Sequence, residues 1–184
     1  MRIIAGKAGR IAIKVPSAVA RPTTDFVRQA VFSILGETVF DARVLDLFCG
    51  SGALGLEALS RGAASCVFVD DHRQAISATE ANLTKSKLEG ARAVRTDAFA
   101  YLSRDTTNYD LILADPPYWK GYGDIDHVKK LLELPALPER LAKGGHFVAE
   151  ISSSQSTPDS PALSLLERRE YGSSTILIFT HPDS

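Results

Sequence analysis

From residue 43 onward the chain alternates short apolar runs with helical stretches, and run after run ends at an acid. Arg43 to Leu47 carries Asp46 into a glycine loop. Cys66 to Val69 stops at Asp70-Asp71, Ala91 to Thr96 at Asp97, and Asp110 to Ala114 at Asp115. Between them, Ala53 to Ser60, His72 to Lys87 and the short piece from Ala98 to Leu102 carry helical patterns. Such alternation leaves few folds open. Parallel strands need crossover helices, and those helices cover both faces of the sheet. The expectation is an α/β, doubly wound, Rossmann-like fold on a mostly parallel seven-stranded sheet. Further on, 125–134 and 138–141 read as helical and His146 to Ile151 as a strand. Ser152 to Pro161 reads as a loop. Glu167 to Tyr171 and Thr175 to Thr180 flank Gly172-Ser173-Ser174 and predict a closing antiparallel hairpin that supplies the antiparallel terminal strand.

Ahead of this core, Arg2 to Ala5 and Ile11 to Val15 flank Gly6-Lys7-Ala8-Gly9 and predict a small amino-terminal β-hairpin. Arg21-Pro22-Thr23-Thr24-Asp25 reads as a helix entry, with a Thr cap and an acid in the first turn. The expected organisation is a basic hairpin extension over residues 1–20 and one main domain over 21–184. Net charge is −1 overall, but residues 1–28 hold six basic side chains against Asp25 alone. Arg2, Lys7, Arg10, Lys14 and Arg21 are therefore candidate phosphate contacts for a nucleic acid, with a solvated hairpin face as the alternative. No stretch has the apolar length to span a bilayer, and the amino terminus lacks a secretory signal pattern. Cys49 and Cys66 make no disulfide framework, and the four histidines show no ligand spacing. The expectation is a cytoplasmic, metal-free monomer.

Gly50-Ser51-Gly52-Ala53-Leu54-Gly55 is a GxGxxG loop between a strand and a helix. Glycines let the chain turn tightly and let a ligand approach bare backbone, while the helix start favours an anionic group. Asp46, four residues before Gly50, sharpens the reading. A dinucleotide's pyrophosphate over this loop would be repelled by it, whereas a ligand with an ammonium and a sulfonium would be attracted. About 20 residues past the loop, Asp70 stands where an acid grips ribose hydroxyls. Asp71 is the alternative, and strand register favours Asp70. Asp97 with the Ala98 N–H can receive an adenine edge, or Asp97 can simply cap the helix that follows.

Asp115-Pro116-Pro117-Tyr118 follows the apolar run Leu111-Ile112-Leu113-Ala114. It therefore sits at a strand's carboxyl end, where open α/β sheets bind ligands. Asp115 and the Pro116 carbonyl are two acceptors for an exocyclic amine. Pro117 stiffens the turn, and Tyr118 offers a ring to stack on a planar substrate. A plain strand-ending turn is the competing reading. Arg21 and Thr23 stay open between a helix start and a place near the site.

On these residues the chain resembles the class I adenosylmethionine-dependent methyltransferases. More narrowly it resembles the RsmD family of bacterial 16S ribosomal RNA guanine-N2 methyltransferases. The segments that carry the likeness are MRIIAGKAGR, RPTTDFVRQAVFSILG, VLDLFCGSGALGLEALSRGAASCVFVD and LILADPPY, covering residue 1 to about 118. The resemblance implies S-adenosylmethionine as cofactor, held by Asp46, Phe48, Gly50, Ser51, Gly52, Gly55, Asp70, Asp97 and Ala98. It implies catalysis by Asp115, Pro116, Pro117 and Tyr118. It also implies 16S ribosomal RNA, or a small-subunit assembly intermediate, as partner. Two departures are small: Cys49 stands where alanine is usual, and Asp70 where glutamate is usual. Rival readings are an adenine-N6 methyltransferase, a catalytically silent RNA-binding assembly factor, and a nicotinamide oxidoreductase. The last is disfavoured by Asp46 and by the Asp-Pro-Pro-Tyr turn. Cytosine-C5 chemistry is set aside because neither cysteine follows a proline.

Overall fold

A computed structural model describes residues 1–17 and 23–182. Arg21, one of the sequence-predicted RNA contacts, lies outside the described residues, as does the boundary expected near residue 20. Seven strands form one sheet: β1 (Arg43–Leu47), β2 (Ser65–Asp70), β3 (Ala91–Arg95), β4 (Tyr109–Ala114), β5 (Leu141–Ser152), β6 (Ser164–Tyr171) and β7 (Ser174–Thr180). Their order is β3-β2-β1-β4-β5-β7-β6. The pairs from β3 to β5 are parallel, and β7 runs antiparallel to both β5 and β6. This is the doubly wound sheet with one reversed strand that the alternation predicts. Chain order reverses direction at β1 and β4, so a crevice opens above their carboxyl ends.

The helices divide between the two faces. α1 (Asp25–Leu35), α2 (Ala53–Ser60) and α3 (Arg73–Ser86) cover one. α4 (Ala98–Arg104), α5 (His127–Glu133) and α6 (Ala136–Arg140) cover the other. Strand periodicity sorts side chains between them. In β4, Leu111 and Leu113 pack toward α1–α3, while Ile112 and Ala114 pack toward α4–α6. In β5, Val148 packs toward the first face, and Phe147, Ala149 and Ile151 toward the second. By the same count Asp46, Asp115 and Glu150 fall on the α1–α3 face of three adjacent strands.

Two boundaries differ from the sequence reading. β5 begins at Leu141 rather than His146. Gly144-Gly145 looks like a stop, yet the strand passes through it, with a register shift against β4 between Tyr109 and Leu111. The amino-terminal ribbon is also narrower than a full hairpin, with a single antiparallel bridge, Arg2 to Ala12. The reason is a competing partner. The N–H groups of Ile4 and Ala5 turn to the two carboxylate oxygens of buried Glu57 on α2, at 2.7 and 3.1 Å. Ser60 continues the clasp: its carbonyl accepts from Lys7 N–H and its hydroxyl accepts from Ala8 N–H. Asn82 on α3 then ties Lys14 to the glycine loop, accepting from the Lys14 N–H and donating to the carbonyls of Lys14 and Ser51. Ile3, Ala8 and Ile13 are buried in the same core as Val44 and Leu113.

Candidate active site

The site begins where β1 and β2 end. Beyond Leu47 the chain turns through left-handed φ values at Phe48, Gly50 and Gly52, then enters α2. The Gly50 N–H donates to Asp70 Oδ2 at 2.9 Å, while Asp70 Oδ1 accepts from His72 N–H at 2.9 Å. Asp70 thus braces the loop and the start of α3 together. Gly55 has a different task. A Cβ there would lie 2.3 Å from the Phe68 ring and 2.7 Å from the Cys66 sulfur, so α2 can approach β2 only with a glycine at that position. Its N–H donates to Asp46 Oδ2 at 2.9 Å. Asp46 is almost fully buried, and that burial pushes its carboxyl up to about 7 against the pull of the Gly55 N–H.

Above these strand ends is a cavity of about 440 Å³. That falls in the size range of small-molecule sites. Asp46, Phe48, Gly50, Ser51, Asp70 and Asp71 line one side, and Thr23, Asp115, Pro116, Pro117 and Tyr118 the other, with Lys120 also at its wall. The glycine loop and the Asp-Pro-Pro-Tyr turn therefore share one space. Gly52 and Gly55 act from behind the lining. Asp97 and Ala98 do not line the cavity: Asp97 caps α4 by accepting from Ala100 N–H at 2.8 Å, and Ala98 is buried. Of the two acids after β2, Asp70 is the one that closes the strand and holds the loop, while Asp71 is exposed beside it.

A polar chain links the acceptor side to the sheet. Thr23 Oγ1 lies 2.5 Å from Asp115 Oδ2 and 2.9 Å from Glu150 Oε2. The Tyr118 hydroxyl donates to Glu150 Oε1 at 2.5 Å and lies 2.7 Å from Ser174 Oγ. The Tyr118 ring is thus held by its hydroxyl end while lining the cavity. Burial, and next the charge of Glu150, push the Asp115 carboxyl up to about 8, with Thr23 pulling the other way. Tyr118 is pushed up by burial and by its bond to Glu150.

Thr23, which the sequence leaves open between two roles, stands inside the site. Glu150 is a site residue that no motif points to. Its one signal is an acid inside the apolar strand His146 to Ile151, on the same face as Val148. Arg28 also reads differently in three dimensions. It belongs to the positive charge of the amino-terminal segment, yet it is fully buried. Its guanidinium donates to the carbonyls of Thr23 and Arg2 and to Asp25. Burial lowers its pKa while Asp25 opposes that. It is an anchor for the site, and the exposed basic residues described in the amino-terminal segment are Arg2, Lys7, Arg10 and Lys14.

The cysteines are poor candidates for a thiolate nucleophile, although Cys49 is in the cavity lining. Cys49 and Cys66 are buried, and burial pushes both thiols well up. Among the described residues no group of three or more His, Cys, Asp or Glu side chains is placed to hold a metal ion. Nor is any described helix long and apolar enough to cross a membrane. The residues present suit S-adenosylmethionine: carboxylates for an ammonium and a ribose, backbone N–H groups at a helix start for a carboxylate, and a wall of apolar atoms.

Comparison with known proteins agrees with this fold. The family described as Conserved hypothetical protein 95 matches residues 1–180. The putative rRNA methyltransferase YlbH of Bacillus subtilis is 36% identical over 185 residues, covering 97% of this chain and 98% of that protein. Ribosomal RNA small subunit methyltransferase D of Escherichia coli is 39% identical over 122 residues, covering 66% of this chain and 62% of that protein. Among solved structures, the putative methyltransferase yhhF from Escherichia coli superimposes with a TM-score of 0.83 at 32% identity, covering 98% of this chain and 97% of that one. A match along essentially the whole chain, in sequence and in fold, places the protein in the Conserved hypothetical protein 95 family, the RsmD family of S-adenosylmethionine-dependent ribosomal RNA methyltransferases.

Proposed function

We propose that this protein transfers a methyl group from S-adenosylmethionine to the exocyclic N2 amine of a guanine in 16S ribosomal RNA, acting in the cytoplasm as a monomer. The observation that carries the reading is the shared cavity, with Asp70 and the glycine loop on one wall and Asp115 to Tyr118 on the other. A bound S-adenosylmethionine supplies a methyl group on a positively charged sulfur. Asp46 would face the ammonium, the Ser51 N–H at the start of α2 would face the carboxylate, Phe48 and Gly50 would line the wall, and Asp70, which already holds the Gly50 N–H, would take the ribose hydroxyls. For Asp97 and Ala98 the support is less direct. Their strand end adjoins that of Asp70, and an adenine contact there needs Asp97 to serve while still capping α4.

The guanine N2 lone pair is delocalised into the ring, so it is a weak nucleophile. The chain's task is to aim it. Asp115 and the Pro116 carbonyl accept its two N–H bonds, Pro117 fixes the turn, and the Tyr118 ring supports the base. Orientation of this kind is worth up to about 7–11 kcal/mol in the best cases, against about 1.5–3 kcal/mol for one hydrogen bond to a charged acceptor. Positioning therefore outweighs proton transfer. The target base must leave its stack, which costs little in a loop. Exposed Trp119 and Tyr122, directly after the turn, and the exposed cations Arg2, Lys7, Arg10 and Lys14 support RNA as the partner.

The test is transfer of labelled methyl from S-adenosylmethionine to ribosomal RNA or small-subunit particles from cells lacking this protein, followed by mapping of the labelled nucleotide. Label on a single guanine N2 of 16S RNA is the expected result. Label on adenine overturns the base assignment, and no label on any ribosomal RNA overturns the substrate.

A further inference from the structure

A hydroxyl group carries one proton, and Thr23 Oγ1 has a carboxyl oxygen on each side. It lies 2.5 Å from Asp115 Oδ2 and 2.9 Å from Glu150 Oε2. It can donate to only one of them. The other oxygen must then be the donor, which requires a proton on one carboxyl. The rest of the chain is complete with that single extra proton. Tyr118 donates to Glu150 Oε1, and Ser174 donates to Tyr118. With no proton on either carboxyl, two like charges would flank a buried hydroxyl that can satisfy one of them. The proton belongs to Asp115, whose carboxyl is pushed up by burial and next by the charge of Glu150.

We infer that Glu150 and Thr23 are positioning residues for methyl transfer: the Thr23 hydroxyl bridges the two carboxyls while Asp115 holds a proton, and loss of this proton turns Asp115 into the full-strength acceptor of the substrate amine. The inference deepens the reading of Asp115 as that acceptor and rests on it. The pair sits on neighbouring strands, with Asp115 directly after β4 and Glu150 in β5, on one face of the sheet. Thr23 is held from behind, since Arg28 donates to its carbonyl at 3.2 Å. Every element around the pair contributes a group: Thr23 ahead of α1, Tyr118 from the turn, Ser174 from β7, and Asp46 from β1, whose charge also raises Asp115. No cation touches either carboxyl among the described residues. Ionised acceptors bind N–H groups about twice as strongly as neutral ones. The acceptor thus strengthens as the Asp115 proton leaves.

The test is the pH dependence of kcat for total methyl incorporation into ribosomal RNA, between about pH 6 and 9.5. For the wild-type chain the rate should climb to a plateau through a midpoint near 8. Glu150→Gln removes the neighbouring charge and supplies an N–H to Thr23, so its midpoint should fall by about one pH unit or more, a roughly tenfold gain at the foot of the limb relative to its own plateau. Thr23→Val removes the bridge between the two carboxyls, so its midpoint should shift away from the wild-type value. Thr23→Ser should restore the wild-type profile. Calorimetric titration with S-adenosylmethionine checks that each variant is folded, and if Glu150→Gln does not fold, the Thr23 pair decides. Coincident midpoints in all variants, or a rise in Glu150→Gln, overturn the inference. Because the assay counts methyl groups on any base, a wrong base assignment leaves the comparison intact, while guanine methylation with coincident midpoints sinks this inference alone.

Discussion

Asp46 should cost the ligand-free protein stability that only the ligand restores. Its carboxyl is buried beneath the glycine loop, and burial raises it from 3.8 to about 7. For an acid raised on folding, the native state keeps its proton after the unfolded chain has released it. Stability is therefore full below about pH 4 and is lost progressively as pH rises through about 7. At about 1.4 kcal/mol per decade in ionisation, the loss reaches about 4 kcal/mol on the alkaline side. Asn at this position keeps an oxygen for the Gly55 N–H and cannot ionise. Asp46→Asn should therefore match wild type near pH 4 and exceed it by up to about 4 kcal/mol above pH 7. The measurement is urea unfolding across that pH range, with and without saturating S-adenosylmethionine. The wild-type chain should regain most of the deficit with ligand, because a bound cation relieves the buried charge, while the variant should gain little and bind weakly. A stability difference that does not vary with pH would refute the argument, since a packing or hydrogen-bond effect has no such dependence.

Three further outcomes follow from the geometry. Asp115→Ala should abolish methyl transfer while leaving S-adenosylmethionine affinity within a few-fold of wild type, because the side chain lies across the cavity from the glycine loop; single-turnover assay and calorimetry separate the two. Gly55→Ala should destabilise the fold by about 1–3 kcal/mol, seen as a drop of several degrees in Tm, since its methyl meets the buried Phe68 ring and Cys66 sulfur. Replacing Arg2, Lys7, Arg10 and Lys14 by Gln should weaken RNA binding and flatten the logarithmic salt dependence by about 0.7 for each phosphate no longer neutralised; an unchanged slope would remove this surface from the interface.

What can be read from the chain is the part with strong local chemistry. The strands from Arg43 to Ala114 are apolar runs with acids at their ends, and all four form within a residue or two of the expected bounds. The meeting of the glycine loop and the Asp-Pro-Pro-Tyr turn follows from strand order alone. Glu150 is hidden because a lone acid in a strand has no motif. Only sheet register, with Glu150 opposite Ile176 and beside β4, shows that it reaches Thr23 and Tyr118. Arg28 is hidden for the opposite reason: its charge suggests a surface, while its acceptors are a carboxylate and two backbone carbonyls contributed by residues before and around it. Gly144-Gly145 conceals the start of β5, since a bulge and a chain reversal use the same residues.

The clasp between residues 4–8 and the pair Glu57 and Ser60 has a bearing on biosynthesis. Residues 4–8 find their partners more than fifty positions later in translation. Until α2 has been made, Ile4 and Ala5 have only water for their N–H groups and Ile3 has nothing to cover it. This segment of the nascent polypeptide therefore settles late, and the cations it carries come into register only once α2 has packed behind them.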